Sequence, residues 1–184
     1  MTTLIIDMSQ IMYANVFRAK ASDLQVKSDL HAEALYNLGS DVVTPPKKFD
    51  EKFIRHMALT SILLYKKMFK PSHIILAYDG SKYWRKSVFP HYKARRKTNR
   101  DASNHDFDEI FVILNNLRDE FIEALPFSTV CVQGAEADDV IAVLTKHIQA
   151  TDNVAIVSSD HDFAQLQKYP NVVQFHPVSK RYAE

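Results

Sequence analysis

The feature that most constrains this chain is an alternation. Short apolar runs of strand length recur along it, and between them lie longer segments whose apolar residues return every three or four positions. The runs are "TLIIDM", "HIILAYD", "STVCV", "VAIVS" and "VVQFH". Runs this short and this apolar predict strands buried on both faces, and the intervening spacing predicts amphipathic helices. Strand–helix alternation of this kind gives an α/β fold, a mostly parallel central sheet flanked by helices on both faces. With 184 residues and 46% apolar content, one domain spanning 1–184 is expected.

The first strand is expected to end near Asp7, with Ser9 capping a helix that runs to about Arg18. A second helix is expected over 49–69, with Phe53, Met57, Ala58, Ile62 and Leu64 inward and Pro71 as its stop. A third spans 106–125 through Phe107, Ile110, Phe111, Leu114, Leu117 and Phe121. "AEADDVIAVLTKHIQ" reads as a helix with an acidic first turn, and "DFAQLQ" as a short one. Residues 20–48 are ambiguous: "HAEALYNL" supports a turn or two of helix, and "GSDVVTPPKK" breaks structure. The start "MTTLIIDMSQ" lacks the basic and apolar regions of a signal peptide, and no apolar run reaches the ~20 residues of a membrane span. Cys131, alone in "STVCV", is expected to be a small buried hydrophobe in a cytoplasmic protein.

The carboxylates fall where such a fold collects ligands. Asp7 closes the first strand and Asp79 the second. Glu136, Asp138 and Asp139 open the helix after the third, and Asp160 and Asp162 follow the fourth. In an open α/β sheet the region beyond the carboxyl ends of the strands is one crevice, and ligands bind there. Taken singly, Asp7 reads as a helix cap, and the "EADD" group as a complement to a helix dipole. Their coincidence asks for more. Two like charges about 4 Å apart repel by about 4 kcal/mol even at an effective dielectric of 20. Divalent cations relieve such a cluster, and an all-oxygen donor set selects Mg²⁺ or Mn²⁺ over zinc. Two such ions about 3.5–4 Å apart suit phosphodiester hydrolysis. His161, between two aspartates, is expected to point elsewhere and to be structural.

Net charge is +1, yet Gly80–Arg100 holds eight Lys/Arg and no Asp or Glu. In "YWRKSVFPHYKARRKTNR" rings interleave with cations, which suits base stacking and phosphate neutralisation. Lys93 or Arg96 could also place positive charge at a scissile phosphate. The polar "KTNRDASNHD" is expected to order only on substrate.

In the order "LIIDMSQIMY", "LAYDGSKYWR", "FPHYKARR", "GAEADDVIAVL", "SSDHDFAQL", the chain resembles the 5′-nuclease (flap endonuclease) superfamily. Within it, "SSDHDFAQLQKYPNVVQFHP" is most similar to the branch of the T-even bacteriophage ribonucleases H, 5′→3′ exonucleases that remove RNA primers. The resemblance implies a PIN-like catalytic domain in which a basic helical arch passes a single-stranded 5′ end. It implies a tighter metal site of Asp7, Asp79, Glu136, Asp138 and Asp160, and a second with Asp162 and Asp139 nearby. Arg85, Lys93 and Arg96 match the family's cations near the scissile phosphate, Tyr92 is a candidate either for stacking on a nucleotide or for core packing, and Arg95 and Lys97 lie in the same basic arm. Implied partners are DNA and RNA–DNA hybrids with a free 5′ end or flap, and replication proteins such as a single-strand-binding protein. The chain is expected to act as a monomer, away from membranes. Family chains continue by roughly another hundred residues, with a helix–turn–helix-like module on duplex DNA and a further aspartate for the second ion. Their absence here makes the second metal site and the duplex grip weak points. It also keeps open a non-catalytic branched-DNA-binding fragment. A PIN-type endoribonuclease shares the sheet and the acidic crevice. A phosphoryl-accepting regulatory domain accounts for neither "EADD" nor the basic arm.

Overall fold

The computed structural model describes residues 1–17, 49–102 and 106–183; the expectations for residues 20–48 lie outside them. Six strands form one sheet in the order β3-β2-β1-β4-β5-β6, with β1 at Thr2–Asp7, β2 at His73–Tyr78, β3 at Ser128–Cys131, β4 at Asn153–Val157, β5 at Val172–His176 and β6 at Arg181–Tyr182. Pairing is parallel from β3 to β5, and β6 closes the β5 edge antiparallel. The chain winds outward from β1 through β2 to β3, then crosses to β4 on the other side of β1. The direction of winding therefore reverses between β1 and β4, and a crevice opens at such a switch point.

Alternation along the strands feeds two cores. Leu4, Ile6, Leu76, Tyr78, Ala155 and Val157 pack with the helix over residues 8–17 (α1), with α2 (Glu51–Phe69) and with α5 (Phe107–Ala124). Ile5, Ala77, Val154, Ile156 and Val172 pack with α6 (Ala137–Ile148) and a 3₁₀ segment, His161–Lys168. Two short helices, α3 (Arg85–Val88) and α4 (Ala94–Asp101), carry the basic segment. Of the stretch expected to order only on substrate, the part as far as Asp101 lies in α4. Asp50 and Asp106 cap α2 and α5 by accepting from Phe53 N and Glu109 N.

Four expectations change. The cap of α1 is Asp7, which accepts from Gln10 N at 3.0 Å; the Ser9 hydroxyl instead accepts from Asp79 N at 2.7 Å, joining two strand ends. The inward stripe of α2 is Ile54, Ala58, Ile62 and Tyr65, and Leu64 on its flank is 54% exposed. The rings and aliphatics near helical spacing form two overlapping stripes, and the one that runs through Tyr65 is the buried one. In α5, Ile113 takes the buried place expected for Phe111. Cys131 is exposed, because β3 is an edge strand of four residues with a neighbour on one side only. The antiparallel β6, two residues long, has no counterpart among the strands expected from sequence. Among the described residues no helix is long and apolar enough to cross a membrane.

Candidate active site

Asp7, Asp79 and Asp160 reach the crevice from strand ends, and Asp138 from the first turn of α6. Asp7 is the last residue of β1, and Asp79 follows β2 directly. Asp79 Oδ1 accepts from Ala137 N at 2.8 Å, pinning the first turn of α6 to β2. Gly80 makes that approach possible. A Cβ there would overlap the carbonyl oxygen of Val132, and Gly80 N donates to Ala135 O. Asp160 leads into the 3₁₀ segment and accepts from Asp162 N at 2.9 Å.

Asp7, Asp79, Asp138 and Asp160 line one cavity of about 720 Å³, with Lys93 and Arg96 facing them and Tyr13, Phe107 and Phe111 further along its wall. Burial pushes the Asp7 carboxyl up to about 7; the hydrogen bonds from Gln10 N and Ser158 oppose this, and the charges of Asp138 and Asp79 reinforce it. Burial, then Asp160 and Asp79, push Asp138 up to about 6. Asp7 and Asp138 thus each sense the charge of neighbouring carboxylates in the cavity.

The second tier is held by cations. Glu136, buried at the N-cap of α6, has Lys93 Nζ on Oε1 at 2.5 Å. The Tyr92 hydroxyl (2.7 Å) and Arg85 Nη1 (3.0 Å) donate to its Oε2. Asp139 takes a bidentate pair from Arg85 at 2.6 and 2.7 Å and also accepts from Glu136 N and Trp84 Nε1. Arg85 holds the Asp139 carboxyl below its ordinary range. Its guanidinium lies 4.9 Å from the Trp84 ring centre. Lys93 reaches Glu136 from a left-handed backbone, φ 55°, which is uncommon for a residue with a side chain.

The residues named from sequence therefore divide. Asp7, Asp79, Asp138, Asp160, Lys93 and Arg96 share the cavity. Glu136 and Asp139 stand beside it, paired with Arg85, Lys93 and Tyr92. The Tyr92 ring is thus tied to a carboxylate in this arrangement. Asp162 and Arg95 are exposed, and the side chain of Lys97 lies outside the described residues. His161 is exposed, its ring 6.3 Å from that of His176. Sequence reasoning misses three partners: Gln10, Ser158 and Gln174, whose side chains hydrogen-bond around the Ser158–Asp160 turn. A glutamine inside the apolar strand "VVQFH" is the available signal.

Among the described residues no three His, Cys, Asp or Glu side chains stand together as a ready-made metal site. The donor set nonetheless fits a hard divalent cation: the charged groups at the acidic end are all carboxylates, and burial, reinforced by neighbouring carboxylates, pushes Asp7 and Asp138 up.

Over residues 2–183 the chain matches the family described as 5′-3′ exonuclease, N-terminal resolvase-like domain. It is 35% identical over 144 residues to ribonuclease H of Enterobacteria phage T4, covering 75% of this chain and 47% of that protein. To the flap endonuclease Xni of Shewanella piezotolerans it is 34% identical over 118 residues, covering 63% and 42%. Its fold is shared with the bacteriophage T5 flap endonuclease co-crystallised with metal ions, at a TM-score of 0.70 and 17% identity, over all of this chain and 57% of that one. A variant of that enzyme in complex with DNA and metal ions gives 0.73, again at 17% identity, over all of this chain and 58% of that one. The chain spans about half the length of the curated relatives it matches.

Proposed function

This chain belongs to the 5′-3′ exonuclease family, matching its N-terminal resolvase-like domain, and from that premise we propose that it is a metal-dependent 5′-nuclease. It hydrolyses phosphodiester bonds at 5′ ends, 5′ flaps or RNA–DNA hybrids, as in primer removal during replication. The observation that carries this reading is the shared cavity in which Asp7, Asp79, Asp138 and Asp160 face Lys93 and Arg96. Acidic groups alone would repel a phosphodiester, and cations alone would only bind it.

Asp7, Asp79, Asp138 and Asp160 would hold the tighter Mg²⁺ or Mn²⁺, with Glu136 joining when Lys93, Tyr92 and Arg85 release it. Asp162, with Asp139 nearby, would serve a second ion. When bound, such ions lower the pKa of water and stabilise charge on the phosphoryl oxygens. The chain's own groups do the rest. Lys93 and Arg96 neutralise the substrate phosphate, Arg95 and Lys97 extend the contact along the strand, and Tyr92 offers a ring face once it leaves Glu136. Tyr13, Phe107 and Phe111 give unstacked bases an apolar wall beside the reacting bond. The names and contents of the relatives' structures, ribonuclease H, flap endonuclease, DNA and metal ions, agree with this reading. Action as a monomer in the cytoplasm beside a single-strand-binding protein belongs to the same proposal.

The test uses 5′-labelled flap DNA, an RNA–DNA hybrid and single-stranded RNA, each with Mg²⁺, Mn²⁺ or EDTA. Short metal-dependent products from flap or hybrid are expected. Asp79→Asn keeps an oxygen for Ala137 N and hence the fold, but loses the charge, so cleavage should fall by more than about 100-fold. Undiminished cleavage by Asp79→Asn refutes the assignment. Cutting of single-stranded RNA alone indicates the endoribonuclease, and retention without cutting indicates a binding module.

A further inference from the structure

The turn that presents Asp160 is held by side chains on both sides. After β4 ends at Val157, Ser158 N still donates to Phe175 O of β5. Beyond that point the ladder stops and side chains take over. Gln174 Nε2 donates to Ser158 O at 3.0 Å and to Asp160 O at 2.7 Å. Gln10, on α1, accepts from Ser159 N at 2.6 Å through Oε1. The Ser158 hydroxyl lies 3.0 Å from Asp7 Oδ2 and 3.4 Å from Gln10 Oε1. Its single hydrogen goes to the nearer partner, Asp7. The same oxygen accepts from Asp160 N at 3.1 Å. One hydroxyl therefore bridges Asp7 of β1 to the backbone of Asp160.

Resting on the metal-dependent reading above, we propose that Gln174 and Gln10 are positioning residues that fix the spacing of the Asp7 and Asp160 carboxylates through Ser158. Gln174 makes the stronger case. It is 3% exposed on β5, opposite Ile156, between apolar neighbours Val173 and Phe175. A buried strand position of this kind suits an apolar side chain. The amide's orientation is set because both its partners are carbonyl oxygens, which only the NH₂ end can serve. Its own Oε1 is left without a partner. A buried acceptor left unpaired is unfavourable, so the gain from the amide lies in the turn it grips. Gln10 reaches the same turn from α1, whose first turn is itself capped by Asp7. A rotation at Ser159 would swing Asp160 relative to Asp7, and the two amides oppose it from opposite sides.

Gln174→Met keeps the length and removes both donors. In calorimetric titration of the full chain without substrate, it should bind Mn²⁺ roughly 10-fold more weakly or worse, the usual effect of losing a partner that orients a ligand. In cleavage assays the Mn²⁺ concentration for half-maximal rate should rise by a similar factor, with the rate recovering at saturating Mn²⁺. Phe175→Leu, next along the strand and facing the other core, is the control. It should lower stability and leave Mn²⁺ affinity unchanged. Gln10→Leu tests the second arm from a partly buried site on α1, with a shift in the same direction expected. If the wild type binds Mn²⁺ and both glutamine variants bind it equally well, the positioning role is overturned while the nuclease reading stands. A wild type that takes up no Mn²⁺ overturns the metal reading, and this inference with it.

Discussion

Asp7→Asn should abolish a pH dependence that the metal-free protein carries in its stability. In the folded chain Asp7 is 4% exposed and its carboxyl titrates at about 7, against an ordinary 3.8. Burial is the main cause, with Asp138 and Asp79 adding repulsion. Between those two values the folded state binds a proton that the unfolded state has released. Stability must therefore fall as pH climbs from about 4 to about 7, and level off above. At about 1.4 kcal/mol per pH unit the loss approaches about 4 kcal/mol, a large part of a domain's usual ~5–15 kcal/mol. The carboxamide introduced by Asp7→Asn would still accept from Gln10 N and could meet the Ser158 hydroxyl, but it cannot ionise. Urea denaturation in EDTA at half-unit steps from pH 4 to 8 reads this directly. The wild-type midpoint should decline with pH, the variant's should decline far less, and the variant should be the more stable at pH 8. Added Mn²⁺ should flatten the wild-type curve by favouring the ionised carboxylate. Parallel curves for the two proteins, or a wild type that gains stability with pH, would refute the reasoning. Half-buried Asp138 contributes less than its own rise suggests, because water screens it.

Two further outcomes follow from the same geometry. Lys93→Met removes the ammonium from Glu136, so Mn²⁺ affinity measured by calorimetry should tighten by roughly tenfold, while cleavage falls for want of a cation at the phosphate. Weaker Mn²⁺ binding would show that Lys93 supports the metal site instead of competing for it. Gly80→Ala drives a methyl into the Val132 carbonyl; a loss of about 3 kcal/mol in urea should accompany reduced Mn²⁺ affinity as Asp79 is pushed off Ala137 N. Unchanged stability would mean that this loop is freer than its contacts suggest.

The strand ends were legible because two signals coincide there. An apolar run of strand length fixes where the backbone emerges, and a carboxylate at its last residue or within three residues after it needs no packing detail to be placed in the crevice. Asp7, Asp79 and Asp160 follow from that alone. The pairing of Arg85 with Asp139 does not, since nothing local to "YWRK" tells a cation bound for phosphate from one bound for a carboxylate 54 residues away. Helix faces are harder to read than helix existence: Leu64 and Tyr65 are neighbours, and a small rotation of α2 decides which is buried. Cys131 is misplaced by sequence reasoning because burial of a strand depends on its neighbours in the sheet, and sheet order is not written in the strand itself. Gln174 escapes notice for the converse reason. Its role exists only because β5 lies beside β4.

The parallel register carries a consequence for how this protein tolerates change. Asp7 sits opposite Ala77 while Ile6 faces both Leu76 and Val157. Side chains alternate across the sheet, so adding or deleting one residue within β1 would exchange its two faces. Such an indel alters composition hardly at all, yet it would turn Asp7 toward the core beneath α2 and α5 and move an isoleucine into its place. Trimming a core side chain lowers stability and leaves the acidic constellation in place. In this protein, substitutions should be forgiven far more often than frame-preserving insertions in its central strands.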